Sequence, residues 1–167
     1  MHRGLFGKTL SILCLSLALL GTPQMAMAQE QLEVADARVV YNFGQQITFQ
    51  AKILAAGEIT QASVLFRQAE EGITHMETLA LEPDGSAHFT YDSSLNLFAP
   101  FSTIAFWFQA AFQDGSTRTS PTFYFRYDDN RFPWQQLSEG NLNLHWYDGD
   151  AAFGRAALDA AHAGVNS

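Results

Sequence analysis

Four of the chain's five histidines, those beyond residue 28, and one acidic run have residue types that could hold a metal or move a proton: His75, His88, His145 and His162, and Asp128-Asp129-Asn130. No two of these histidines stand four apart and none is followed by Glu, so no helical turn offers a metal two imidazoles with a general base beside them. His75 and His88 could meet across neighbouring strands. Two ligands without a third make a poor zinc site, and ordinary strand-surface histidines account for both. His145 alternates with Leu144 and Trp146, which turns it toward solvent or toward a following domain. Calcium stiffens some domain junctions through oxygen ligands, and Asp128, Asp129 and Asn130, with Asp148 and Asp150, have the composition for it. A turn and a helix cap explain the same residues one by one. Asp84 and Asp114 precede glycines in turns. The serines show no nucleophile elbow, and no glycine-rich phosphate loop is present. No catalytic residue, metal ligand or cofactor is therefore assigned within this chain.

The aromatic residues are the second candidate. Phe98, Phe101, Trp107, Tyr124, Phe132 and Trp134 are more rings than one sheet face can easily bury, and exposed rings mark partner or carbohydrate surfaces. The competing reading is that Phe132 and Trp134 pack against whatever follows them. Phe132, Trp134, Trp146 and Phe153 are taken as the interdomain contact set. Trp107 points away from Phe106 and Phe108, and is placed under the strand at Asn141–Tyr147.

These residues are carried by strands. Between 102 and 112, Ile104, Phe106, Phe108, Ala110 and Phe112 alternate with Thr103, Ala105, Trp107, Gln109 and Ala111, the period of a half-buried strand. Asp114-Gly115 supplies a turn, and Phe123 to Arg126 returns. Upstream, Val39 to Phe43, Gln46 to Leu54, Ile59 to Gln68, Thr74 to Leu81 and His88 to Asp92 read as further strands. In the second, Ile47, Phe49, Ala51 and Ile53 point inward. In the fourth, Met76 and Leu79 are the apolar residues. Seven short strands separated by turn residues predict an all-β antiparallel sandwich, immunoglobulin-like or fibronectin-III-like, with a small barrel as the alternative.

The first 28 residues have a basic start at Arg3 and Lys8, an apolar run from Leu10 to Leu20, and Ala26-Met27-Ala28 at the end. That is the three-part pattern of a secretory signal peptide, and the run is shorter than the ~20 residues of a membrane span. Cleavage after Ala28 removes Cys14, the one cysteine, and takes the formal charge from −8 to −10, because that segment holds no acid. An acidic chain without a basic stripe argues against nucleic acid and anionic lipid as partners. The expected location is outside the cell, at its surface or in the periplasm, with membrane contact only during export.

The last thirty residues differ in character. Leu142, Leu144 and Trp146 alternate as a strand. Asp148-Gly149-Asp150 then leads into a helix whose Phe153, Ala156, Ala157, Ala160 and Ala161 share one face, with Gly164 at its stop. A strand and one helix cannot enclose a core. The expected organisation is a signal peptide at 1–28, a flexible N-terminus at 29–38, the sandwich at 39–128, a linker at 129–140, and the strand–helix start of an incomplete α/β or α+β domain at 141–167. The expected partner is that domain, absent here, or another protein.

Over Phe123 to Gly154, the chain resembles the junction in exported peptidase MA-like metallohydrolases. The resemblance rests on Phe125-x-Tyr127-x-Asp129-Asn130-Arg131-Phe132-x-Trp134, followed by His145-Trp146-Tyr147-Asp148-Gly149-Asp150. It implies a β-sandwich in front of a zinc-dependent hydrolase domain whose HExxH helix lies well downstream. Nothing here matches that helix, so zinc is expected only in the absent domain. The resemblance implies a non-catalytic module that orients the hydrolase or helps to bind its substrate. The alternative is a stand-alone extracellular module that binds protein or glycan through its exposed aromatics.

Overall fold

The computed structural model describes residues 30–95 and 98–165. The expected signal peptide, with Cys14, lies outside the described residues. In chain order the elements are β1 (Glu33–Asn42), β2 (Gln46–Leu54), β3 (Ile59–Gln68), β4 (His75–Thr78), β5 (Ala80–Leu81), β6 (Ser86–Asp92), β7 (Ser102–Phe112), β8 (Thr117–Thr119), β9 (Phe123–Tyr127), β10 (Gln135–Glu139), β11 (Leu142–Trp146) and α1 (Ala151–Val165).

Two antiparallel sheets face each other. One runs β1-β2-β6-β5; the other runs β4-β3-β7, with β8 and β9 both paired to β7. This is the strand order of an immunoglobulin-like sandwich. The period-two alternation puts Ile47, Phe49 and Ile53 from one sheet against Val64, Phe66, Phe106 and Phe108 from the other, all buried. Phe49 lies 4.7 Å from Phe66 and 5.4 Å from Phe106, ring centre to ring centre. Tilted pairs of this kind add about 0.5–1.5 kcal/mol beyond the area they bury.

Two turns of the sandwich share the sequence Asp-Gly-Ser and one construction. In each, the serine N–H donates to the aspartate, Ser86 to Asp84 at 3.0 Å and Ser116 to Asp114 at 2.8 Å. Hydrogen bonds from the serines hold both carboxyls below the ordinary range. Gly85 and Gly115 adopt φ of +85° and +82°. Only Gly85 is also sterically required, since a Cβ there would sit 2.6 Å from the carbonyl oxygen of Ile53.

Several boundaries depart from the expectation. The segment expected to be flexible up to residue 38 is a strand from Glu33. Its Leu32 is 1% exposed and donates its N–H to Thr119 in the opposite sheet at 3.1 Å. A register shift between Ala35 and Arg38, with Asp36 at φ +52°, interrupts the alternation that would have marked this strand. The single strand expected from Thr74 to Leu81 divides at Leu79, where the chain crosses between sheets. β4 pairs with β3 and β5 with β6. Met76 consequently faces out, while His75 turns inward and stacks on Phe66 at 5.1 Å.

Beyond the sandwich, the segment expected as a linker through residue 140 contains β10, which pairs with β11 in a hairpin turning at Gly140. Gln135-Gln136-Leu137-Ser138-Glu139 has one apolar residue, so this solvated strand left no alternating pattern to read. The helix α1 continues through Gly164 to Val165.

Candidate functional site: the junction between sandwich and hairpin–helix unit

The chain leaves the sandwich at Tyr127, and the next four residues are fastened rather than loose. Tyr127 is fully buried, and its hydroxyl accepts the Gly44 N–H at 2.9 Å. Asn130 reaches back to the β1–β2 turn: its Oδ1 accepts the Phe43 N–H and its amide donates to the Tyr41 carbonyl, each at 3.1 Å. The Tyr41 hydroxyl accepts the Asp128 N–H at 3.0 Å and donates to the Arg126 carbonyl at 3.1 Å. Burial raises the Tyr41 phenol above its ordinary value.

The side chains of the acidic run are committed to other contacts. Asp129, 5% exposed, receives a two-pronged contact from Arg131 at 2.8 and 2.7 Å, which holds its carboxyl below the usual range. Asp128 pairs with Arg126 at 3.3 Å, and Asn130 is committed to backbone. Three side chains that could have converged on one ion point to three separate partners. Among the described residues, no group of three or more His, Cys, Asp or Glu could hold a metal.

A hollow of about 280 Å³ follows, between the sandwich and the hairpin, bordered by Phe101, Arg126, Asp128, Trp134, Gln136 and His145 among others. Phe101 stands just before β7 at φ +62°, a conformation that a bulky residue rarely adopts. Its ring lies parallel to the His145 imidazole, centres 3.8 Å apart and planes within 3°, and edge-on to Trp134 at 5.2 Å. His145 therefore faces the sandwich rather than solvent, correcting the expectation from alternation. The β10–β11 hairpin twists so that this residue, opposite Trp146, meets a neighbour on its own side. Burial lowers the His145 pKa, Arg126 pushes the same way, and Asp128 opposes them.

The four expected interdomain residues divide. Trp134, just before β10, meets Phe101 of the sandwich edge-on. Trp146 is buried within its own unit: Gly154 of α1 packs on its indole, and a Cβ there would fall 2.8 Å from Cε2 and nearer still to Cζ2 and Cη2. Phe132 stacks on Tyr147 at 4.4 Å, and both remain substantially exposed. Phe153 is 55% exposed.

The helix is capped as expected, by Asp150, whose Oδ1 accepts the Phe153 N–H at 3.0 Å. Its buried residues are Gly154 and Leu158, so its packed face is not the alanine face predicted from spacing. Phe153, Ala156 and Ala160 are exposed. Arg155 and His162 reach Glu139 of the hairpin at 2.6 and 3.7 Å and fix the other edge of that contact.

The remaining candidates separate too. His75 lies in one sheet and His88 in the other, where it pairs in register with Gln50 and Ala80, so the two never meet. Phe98 is buried beside Phe66 and Tyr127. Trp107 sits on the outer face of the sandwich, in a hollow whose lining includes nothing from Asn141–Tyr147. Phe101 was visible in the sequence as one ring among several. Its left-handed backbone and its stacking on His145 left no trace there.

The class of protein that fold and junction define is an all-β sandwich carrying a small hairpin–helix unit. Among the described residues, no helix is long and apolar enough to cross a membrane. No family model matches the chain, and no curated protein matches it.

Solved structures with partial likeness include a purple acid phosphatase from yellow lupin seeds, at 12% identity and a TM-score of 0.49 over 63% of this chain and 21% of that one. A myokine structure aligns at 9% identity and 0.44 over 59% of this chain and 99% of that one. A cycloalternan-degrading enzyme from Trueperella pyogenes aligns at 18% and 0.38 over 59% of this chain and 12% of that one. The chain thus spans about a fifth of the length of the phosphatase chain. Likeness this slight carries nothing about activity.

Proposed function

We propose that this chain is the non-catalytic front of an exported zinc metallopeptidase of the peptidase MA-like kind. In this reading the sandwich orients a hydrolase domain that follows α1 and serves as a support for it rather than as a reacting part. The signal-peptide pattern at 1–28 supports a location outside the cytoplasm, and the phrases from Phe125 to Trp134 and from His145 to Asp150 supply the family likeness. Zinc belongs to the HExxH helix of the following domain, and no residue of this chain would hold it.

The observation that carries the reading is the helix face turned away from Trp146. Phe153, Ala156 and Ala160 occupy it and are exposed, while Gly154 and Leu158 fill the side against the hairpin. A surface Phe flanked by small residues suits close packing of a further element. The tied segment Tyr127–Arg131 and the Phe101–His145 stack would set the angle at which that element is presented.

The test is the coding sequence past codon 167. An in-frame HExxH phrase is expected, and the extended chain should cleave protein in a zinc-dependent way. A stop codon with no such phrase would overturn the assignment.

A further inference from the structure

The outer face of the β4-β3-β7-β9 sheet holds a hollow that the orienting role does not use. Register places Arg67 of β3, Ala105 of β7 and Tyr124 of β9 side by side in one row across three strands. Ala105, the smallest of the three, is buried at the floor, and the longer side chains stand on either side of it. Trp107, two residues along β7 and on the same face, forms the next wall. The space is about 380 Å³, within the ~300–1,000 Å³ of small-ligand sites.

Its rim is shaped by an irregularity. β8 pairs with β7 in one register and β9 in another displaced by one residue, so 120–122 form a bulge. The Ser120 hydroxyl repairs the ladder there, accepting the Phe108 N–H at 2.9 Å and donating to the Pro121 carbonyl at 2.7 Å. Thr119 and Thr122 flank it on the border of the hollow. Bulges of this kind re-aim side chains beside binding sites.

Three features define what would fit. Tyr124 is 64% exposed and, with Trp107, offers aromatic surface on a sheet face. Among the described residues, the guanidinium of Arg67 has no carboxylate within ion-pair distance, its Nε is buried without an acceptor, and its Nη1 donates to the Glu71 carbonyl at 3.5 Å. A carboxylate entering the hollow would give this guanidinium the counter-charge it lacks. The threonines add hydroxyls that can donate or accept.

We propose that this hollow binds an acidic sugar: a pyranose ring whose carbon face lies on Tyr124 and Trp107, and whose carboxylate meets the Arg67 guanidinium. An aromatic face alone would suit any apolar ring. The unpaired guanidinium selects an anion, and the hydroxyl rim selects a ring bearing hydroxyls. The site is separate from the junction and stands whether or not a hydrolase domain follows.

Titration of the full chain with sodium glucuronate, followed by NMR of the Trp107 indole N–H and the Arg67 Nε–H, tests it. The expected result is saturable shifts at these groups and at the 119–124 amides. Glucose and benzoate should bind at least about tenfold more weakly, one lacking the carboxylate and the other the hydroxyls. Arg67→Gln should weaken glucuronate by about tenfold or more, while Arg38→Gln on the opposite sheet should leave it unchanged. No saturable shift with glucuronate would overturn the proposal. So would glucose or benzoate binding as tightly, or full binding by a folded Arg67→Gln protein. The wild-type titrations decide by themselves if that variant fails to fold.

Discussion

The sandwich and the hairpin–helix unit are joined in one chain but built at opposite densities. In the sandwich, Phe66 alone has Phe49, His75, Tyr91 and Phe98 within 4.7–6.1 Å, ring centre to ring centre. In the smaller unit, the buried side chains are Trp146, on which Gly154 packs, and Leu158. The first can lose a contact and still have a core. The second depends on one surface, and its hold on the sandwich comes through Trp134 and His145 against Phe101. A part organised in this way suits being positioned by its neighbours more than standing alone.

The largest expected effect belongs to the dense region. Phe66→Ala should destabilise the sandwich by about 3–5 kcal/mol, the range for emptying a buried aromatic site. Urea unfolding followed by near-ultraviolet circular dichroism measures it. A loss below 1 kcal/mol would mean that the two sheets are not held by this cluster.

Gly154→Ala probes the sparse region. Alanine is the better helix former by about 1 kcal/mol. That gain is outweighed because the new Cβ would press within 3 Å of the rigid Trp146 indole, and overpacking of this kind costs about 1–3 kcal/mol. The helix signal should melt earlier while the sandwich transition stays in place. Gly164→Ala is the matched control, since among the described residues nothing beyond its own chain neighbours and helix backbone lies within 4 Å of its added Cβ, and it should stabilise the helix. If the two substitutions acted alike, the contact between α1 and Trp146 would not be what holds the unit.

The same contrast in density decides what could be read from residue order. Ile47, Phe49, Ala51 and Ile53 announced both their strand and its buried face, because a core two layers deep enforces strict alternation. The terminal helix was also legible as a helix, with Asp148 or Asp150 as its cap. Its packed face was not. Spacing ranks the apolar side chains, which favoured Phe153 and four alanines, whereas close approach to an indole selects the position with no side chain at all. Asn130 shows the other limit. A polar residue after a strand reads as a break, and the fact that its amide spans two backbone groups of the β1–β2 turn depends on residues some 87–89 positions earlier in the chain.

A smaller effect, about 1 kcal/mol, is expected from acid at the junction. Burial pushes the His145 imidazole below its ordinary value near 6.5. As pH falls, the unfolded or undocked form therefore takes up the proton first. The stack contributes fully above about 6.5 and loses its contribution as pH falls from there toward the folded value, levelling off beneath it. NMR of the Phe101 ring protons between pH 7.5 and 5 should report the undocking, and His145→Gln should remove the dependence. A stack unchanged across that range would show that the joint does not depend on a neutral imidazole.

Phe153→Ser is expected to have the least effect on the chain itself, within about 0.5 kcal/mol, and that small number is the informative one. Phe153 is more than half exposed, and its ring rests mainly over Gly149, 3.1 Å from where a Cβ of that residue would be. Removing it should leave both thermal transitions where they are, as long as Asp150 still caps the helix through the backbone N–H of residue 153. A loss above 1 kcal/mol would mean that this ring already serves the chain, and the case for a further element covering it would weaken. Stability unchanged in this chain, together with a clear loss in any longer protein that continues past residue 167, would support the proposal that a further element covers that face.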